Sequence, residues 1–325
     1  MKAYVYRRYG GPEVIELAEV EKPVPRDNEL LVRIRATTVT AGDWRARTLE
    51  VPRGFGLLAR LVFGFVRPRQ PILGTELAGV VESVGKSVTR YQPGDAVFAF
   101  LGGRMGCHAE YRVVAEDGPV APKPDGLSFE EAASLSFGGA TALHFLRQAG
   151  IRAGDRVLVI GASGGVGTAI VQLARHFGAE ITGVTSTANL ALVASLGAAR
   201  CIDYSQEDFT RGGETWDIIA DTVGATSFSR CHRVLRDKGR LLSIGGDMMD
   251  LLTAPFIRLI SNKRVIAGPA AERPDYVLQL GELATSGALR PVIDRQYDFS
   301  RIAEAHAYVA TRRKRGSVVV SVAAA

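Results

Sequence analysis

Residues 155–174 constrain the fold more than any other stretch of this chain. Val157 to Ile160 reads as a short buried strand, Gly161 to Gly165 as a glycine-rich turn, and Val166, Ile170, Leu173 and Ala174 recur at helical spacing. A strand that passes through glycines into a helix start leaves peptide N–H groups without intrahelical partners. Those donors and the positive end of the helix dipole make a seat for a pyrophosphate. Ala162-x-Gly164-x-x-Gly167 has the spacing of the dinucleotide fingerprint, with alanine at the first glycine. Gly161-Ala162-Ser163-Gly164-Gly165 also satisfies G-x-S-x-G, the nucleophile elbow of serine hydrolases. The sequel favours the first reading. Gly178 stops the helix, and Ile181 to Thr185 forms a second strand about twenty residues on, as a βαβ nucleotide unit requires. A hydrolase would also need an acid and a histidine, and the histidines after Ser163 are only His176, His232 and His306.

The remainder of the second half alternates in the same manner. Strands are expected near Cys201–Asp203, at Asp217–Asp221, Leu241–Gly245 and Val265–Ala267, with a helix from Ser227 to Leu235. Six strands alternating with helices describe an α/β, doubly wound parallel sheet. Residues 1 to about 126 have a different texture: short strands such as Val32–Ala36, Gly79–Val84 and Ala96–Ala99, punctuated by Pro and Gly turns, as in a small β-barrel. Ser128-Phe129-Glu130-Glu131 is a capping box that opens a helix, and a second helix is expected over Thr141 to Ala149. A helix near Tyr276 to Thr285 and a strand at Ser317 to Val322 are expected to return to the first domain. The expected division is therefore 1–126 with 271–325, and 127–270.

The 325 residues carry a net charge of +6 and three scattered cysteines, Cys107, Cys201 and Cys231. Single cysteines fit a reducing cytosol and argue against a disulfide framework or a structural zinc. The chain starts directly in a strand, so no signal peptide is expected. The basic residues are dispersed except for Arg312-Arg313-Lys314-Arg315, which reads as a solvated helix end rather than a nucleic-acid patch.

Several segments together carry a resemblance. They are Gly10-Gly11-Pro12-Glu13-Val14, Pro71-Ile72-Leu73-Gly74-Thr75-Glu76-Leu77-Ala78-Gly79, Pro93-Gly94-Asp95-Ala96-Val97, Gly161 to Gly167, and Pro291-Val292-Ile293-Asp294. In this order and spacing the chain resembles a medium-chain dehydrogenase/reductase of the zinc-independent, quinone oxidoreductase-like branch. The resemblance implies a GroES-like β-barrel domain followed by a Rossmann domain. It also indicates where a catalytic zinc would sit, and the sequence departs at each ligand: Thr40, Thr75 and the neighbourhood of Phe137 replace them. Such residues do not ligate zinc, so no metal is expected. His108 beside Cys107 is read as packing.

Without a Lewis acid the acceptor must already be reactive, a quinone or an α,β-unsaturated carbonyl. The resemblance places Thr40 and Asp43 at the nicotinamide end of the cleft, with Thr40 as a shortened donor. Cofactor contacts are expected from Ala162, Ser163, Gly164, Gly165, Val166 and Gly167 at the turn. Others are expected from Ser186, Thr187 and Asn189 after the second strand, Tyr204 after the third, and Ile244, Gly245 and Gly246 at the end of the fifth. Thr141, at a helix start after Gly138-Gly139, is expected at the nicotinamide ribose. An NAD enzyme carries an acid at the end of the second strand; Thr185-Ser186-Thr187-Ala188-Asn189 has none, which favours NADPH.

The resemblance also accommodates a protein that binds NADPH with little turnover, as a redox sensor or nucleic-acid-associated factor. Val265–Ala267 would be an exposed sheet edge, and in this family two such edges pair, so a homodimer is expected. Residues 53–67 are atypical: Leu58, Leu61, Val62 and Phe65 share a helical face framed by arginines. The simplest reading is a helix packed on the barrel. A flap over the substrate and a helix lying on a membrane surface are the alternatives.

Overall fold

The computed structural model describes residues 1–322, which divide into two units. The first comprises residues 1–51, 56–140 and the chain from Glu272 onward; the second comprises 52–55 and 141–271. The division falls inside the Ser136–Ala149 helix, later than the expected boundary at 126/127. The reason lies in the preceding helix, Phe129–Ala133. Its Ser128 capping box forms as expected, but it packs on the barrel strands, where the Glu130 carboxylate accepts a hydrogen bond from Ser321 Oγ at 2.9 Å.

The first unit is built on the long strand Glu29–Val39. Leu30, Val32, Ile34 and Ala36 alternate into the core, and two register shifts against Glu76–Val84 bend the strand. Its seven-stranded sheet runs Ile293–Asp298, Ser317–Ser321, Glu29–Val39, Glu76–Val84, Ala96–Phe100, Val120–Pro122, and Tyr111–Ala115 also pairs with Glu29–Val39. The C-terminal strand thus returns to this unit, pairing antiparallel with the central strand. Lys2–Tyr6 and Ile15–Glu19 form a separate antiparallel pair, tied to the rest of the unit by Tyr4 N–H donating to His108 O at 2.9 Å and Tyr6 N–H to Pro71 O at 2.8 Å. The helix Ile302–Ala310, of which the sequence expectation covers only the basic end and no range, buries Ile302, Ala305, His306 and Val309.

The three arginines of the basic run after this helix are exposed but partly engaged, whereas Lys314 is half-buried and its Nζ donates to Gly316 O at 2.5 Å. The Arg312 guanidinium lies 4.5 Å from the Trp44 ring centre, and Arg315 pairs with Asp294 at 3.4 Å. The atypical segment forms the helix Gly56–Phe63, but it does not pack by its large apolar face as expected. Only Ala59 is buried and Phe63 half-buried, while Leu57, Leu58, Leu61, Val62, Phe65 and Val66 are exposed.

In the second unit the parallel sheet has the order Arg200–Asp203, Glu180–Thr185, Arg156–Ile160, Trp216–Asp221, Leu235–Ser243, Arg264–Ala267. That is the 3-2-1-4-5-6 order of a Rossmann sheet, with the first strand at the switch point. Leu158, Ile160, Ile219, Leu241 and Val265 help form its core. Two elements differ from expectation. The helix after Ser227 spans only Phe228–Cys231, because the fifth strand already starts at Leu235. That strand bulges, its pairing with Trp216–Asp221 jumping from Leu235 to Arg240, with Lys238 at φ +58°. It ends at Ser243, not Gly245, and the helix Met248–Ile260 follows, capped by Asp247 Oδ1 accepting from the N–H of Met249 at 2.9 Å. No helix among the described residues is long and apolar enough to cross a membrane.

Candidate functional site

In the second unit the site is made mostly of backbone. Gly161 takes φ +77°, and the N–H groups of Gly161 and Ala162 both donate to Val184 O at 3.1 Å, which ties the turn to the second strand. The positive φ therefore falls on Gly161, one residue ahead of the fingerprint position. Ala162 can replace the first glycine because it faces Gly183, where even an added Cβ would come within 3.2 Å of the alanine methyl. Gly167 allows no side chain: a Cβ there would lie 2.1 Å from Gly161 O. Above Gly164 the space is open, its nearest neighbour being Gly161 O at 3.5 Å. The Gly165–His176 helix opens with Gly164 as N-cap and no side-chain cap, so its first-turn donors, from Gly165, Val166 and Gly167, are available to a ligand. These features fit a dinucleotide pyrophosphate.

Ser163 Oγ accepts from Thr185 Oγ1 at 2.9 Å and from Asn189 Nδ2 at 3.2 Å, and Asn189 Nδ2 also reaches Ser186 Oγ at 3.1 Å. No imidazole is among these partners, so Ser163 lacks the base a nucleophile needs. The structure thus brings Ser163, Ser186 and Asn189 together at the ends of the first two strands. It adds a group the sequence reading did not weigh. Asp203, on the neighbouring strand opposite Thr185, accepts hydrogen bonds from Thr187 Oγ1 and from Ser205 N–H and Oγ at 3.0 and 2.8 Å. The Thr187 hydroxyl, then Ser205, hold its carboxyl below the usual range. Tyr204 beside it is exposed.

At the far ends of the fourth and fifth strands two loops clasp each other. The N–H groups of Ile244 and Gly245 donate to Asp221 O at 3.0 Å, and a Cβ on Gly245 would lie 2.5 Å from Gly224 N. Gly246 is likewise closed in, a Cβ there falling 1.7 Å from Ser243 Oγ. These glycines are required by their own loops, not by the approach of a ligand alone. The Asp221 carboxylate accepts from Val223, Gly224 and Thr226 N–H groups at 3.0, 2.9 and 2.8 Å, so it builds the turn; burial pushes its carboxyl upward against those bonds. Thr141 does not start a helix. It lies inside Ser136–Ala149, which runs unbroken through Gly138 and Gly139.

In the first unit the site is made of side chains. Thr40 caps the Ala41–Thr48 helix in a capping box with Asp43. Asp43 Oδ2 accepts from Thr40 N–H at 2.7 Å and Thr40 Oγ1 at 2.6 Å, while Oδ1 accepts from Gly74 N–H at 2.7 Å. Asp43 is fully buried and acts on the site through Thr40 and the Gly74 turn. The Thr40 proton is thereby committed, so Thr75 Oγ1, 3.4 Å from Thr40 Oγ1, is the donor in that long contact, and its proton is the one that can turn to another acceptor. Thr40, Thr75 and Phe137 converge on Gly42, where a Cβ would meet them at 3.3, 3.7 and 3.4 Å. The three positions singled out as zinc-ligand sites thus come together, and their side chains offer two hydroxyls and a phenyl ring with no donor atom. That set does not fit zinc.

Three further buried residues surround this cluster. Glu76 accepts from Thr38 Oγ1 and from Phe137 N–H at 2.5 Å, and burial, against those two bonds, pushes its carboxyl up to about 7. His108 Nε2 lies 3.0 Å from Thr38 O and its Nδ1 lies 3.5 Å from His306 Nε2. Burial lowers both imidazoles. The available signals were a lone acid in the apolar run Pro71–Gly79 and a lone histidine on an apolar helix face.

Comparison with known proteins agrees over the whole chain. Residues 26–125 match the alcohol dehydrogenase GroES-like domain, and residues 196–320 match the zinc-binding dehydrogenase family. The chain is 31% identical over 332 residues to 2-methylene-furan-3-one reductase of Solanum lycopersicum, covering 98% of this chain and 79% of that one. It is 30% identical, with the same coverage, to the chloroplastic NADPH-dependent alkenal/one oxidoreductase of Arabidopsis thaliana. The solved quinone oxidoreductase of Coxiella burnetii superposes with a TM-score of 0.86 at 28% identity, over 99% of both chains.

Proposed function

The chain belongs to the medium-chain dehydrogenase/reductase superfamily, in its quinone oxidoreductase-like branch, and from that premise we propose that it is an NADPH-dependent reductase of quinones or α,β-unsaturated carbonyls that uses no metal. The observation that carries this reading is the set of Thr40, Thr75 and Phe137 around Gly42, in a chain that also holds a dinucleotide turn. A bound reduced nicotinamide supplies a hydride. With no Lewis acid to polarise the acceptor, conjugation must make it electrophilic. The chain's own work is then to bind and to orient. The first-turn N–H groups of the Gly165–His176 helix hold the pyrophosphate, with Ser163 and Asn189 beside them. Ser186, Thr187 and Tyr204 face the adenosine ribose, and Thr141 and Ile244–Gly246 face the nicotinamide half. Asp43 fixes Thr40, which leaves the Thr75 hydroxyl to donate to an acceptor oxygen as it gains negative charge.

The expected result is oxidation of NADPH, followed at its near-ultraviolet absorbance, on addition of a quinone or enone, and undiminished by chelators. Binding without consumption across a panel of both classes would overturn the reading, and so would loss of turnover on chelation. We also propose a homodimer. Arg264–Ala267 is an edge strand, and the Met248–Ile260 helix before it exposes Phe256, Leu259 and Ile260, so a second copy would cover both. Light scattering that returns a monomer mass rules it out. The free thiols Cys107, Cys201 and Cys231 fit a reducing cytoplasm as its site of action, which recovery in an oxidising compartment on cell fractionation would contradict.

A further inference from the structure

We propose that the exterior of the Gly56–Phe63 helix, with the turn that follows it to Arg69, docks on an anionic lipid bilayer. The helix is amphipathic in the inverted sense: Ala59 and Phe63 face inward, with Phe63 packed against the buried cluster of Tyr6, Val14, Ala46, Leu73 and Met105, while Leu57, Leu58, Leu61 and Val62 face outward. Phe65 and Val66 prolong the ridge; Leu57 is 67% exposed and Val66 89%. The ridge has a fixed shape. Gly64 turns the chain at φ +122°, its N–H donates to Arg60 O at 2.9 Å, and Arg69 N–H reaches back to Phe63 O at 2.8 Å. Tyr9 Oη donates to Gly64 O at 2.7 Å, and Arg60 Nη1 to Phe65 O at 2.6 Å.

Charge selects the partner. Arg60, Arg67 and Arg69 are exposed around the ridge, and from Val51 to Thr75 the sequence contains no Asp or Glu. A second copy meeting this face through its own equivalent would set arginines against arginines. A nucleic acid would leave six apolar side chains against phosphates. An anionic leaflet satisfies both features: the apolar tips enter the headgroup boundary and the guanidinium groups stay at the phosphates. Docking of this kind is independent of the redox reading, since it needs no coenzyme.

The test is flotation of the full chain with phosphatidylcholine vesicles, alone or containing phosphatidylglycerol. Binding is expected to the anionic vesicles, to weaken with salt, and to be lost in a Leu58→Ser, Leu61→Ser variant. Arg67→Gln with Arg69→Gln should cut partitioning by about fivefold per arginine. This second variant also decides the matter if the serine variant fails to fold. The proposal is overturned if the wild-type chain stays with the unbound fraction, or if the arginine variant floats as the wild type does. It is equally overturned if the wild-type chain does not bind vesicles and the leucine changes act elsewhere. A shift in KM for a water-soluble quinone would then identify a lid, and a shift in mass by light scattering a contact between copies.

Discussion

In the nucleotide-binding unit the groups offered to a ligand are peptide N–H donors at Gly165 to Gly167, all within one strand–turn–helix. In the barrel unit the candidate site is instead a buried cluster of side chains, Thr38, Thr40, Asp43, Thr75, Glu76, His108 and His306, brought together from strands and helices across the chain. A backbone site costs little to keep: it needs glycines where side chains would collide and leaves its charge to the ligand. A buried side-chain cluster carries ionisable groups at a desolvation cost, so its stability depends on pH in a way the turn's does not.

The largest expected effect follows from that difference. Glu76 has its carboxyl raised from 4.5 to about 7, so the folded state binds its proton more tightly than the unfolded chain. Its contribution is therefore full below about pH 4.5 and is lost as pH rises through about 7. Glu76→Gln stays neutral, and its amide can satisfy both partners: the carbonyl accepts from Phe137 N–H and the NH₂ donates to Thr38 Oγ1. The variant should match wild type near pH 4 and exceed it by about 3 kcal/mol at pH 8, read from denaturant unfolding across pH. The imidazoles of His108 and His306 are shifted down, so their cost has the opposite slope, growing as pH falls through 6.5 and below, and it is common to wild type and variant. The substitution should erase the alkaline limb alone. An unchanged alkaline limb would mean that Glu76 is not held neutral.

The second test acts on the backbone site. In Gly167→Ala the new Cβ lies 2.1 Å from Gly161 O and 2.8 Å from the Ala162 Cα, and neither backbone atom can swing away as a side chain could. Opening the turn to admit the methyl should weaken NADPH binding by roughly thirtyfold, about 2 kcal/mol, in a fluorescence titration. The alkaline limb set by Glu76 should stay as it is. Coenzyme binding within twofold of wild type would show that the turn does not need to close this tightly.

The same difference explains what could be read from the sequence. Strand, turn and helix at 155–174 are contiguous, so the Rossmann unit and its strands were legible from glycine spacing and apolar periodicity. The Thr40-x-x-Asp43 pattern was also present, yet its meaning depends on Gly74 N–H, which arrives from another segment and occupies the other carboxylate oxygen. His306 and His108 meet only once the Ile302–Ala310 helix is placed, at a sequence separation no motif spans. Lys238-Gly239 has the look of a turn and hid the first half of a bulged strand. The Met248–Ile260 helix was masked by Pro255 and by apolar residues on several of its sides.

Asp203 gives the smallest effect and the finest test, because it places a charged side chain beside the backbone-built site. The end of the second strand lacks a carboxylate, which favours a 2′-phosphate, but the third strand supplies one across from Thr185, bonded to Thr187 Oγ1. Its carboxyl is held low by Thr187 and Ser205, so it is ionised at neutral pH and repels a phosphate bound beside Thr187. In Asp203→Asn the amide keeps an acceptor for Thr187 or Ser205 and removes the charge. The ratio of kcat/KM for NADPH to that for NADH should then rise by about fivefold at low ionic strength, and by less as salt shortens the range of the field. NADH kinetics should hardly change, since the 2′-hydroxyl carries no charge. A ratio that does not move would place the adenosine ribose away from Thr187. A fall in NADH turnover alone would mean that Asp203 holds the 2′-hydroxyl, and that the coenzyme of this chain is NADH.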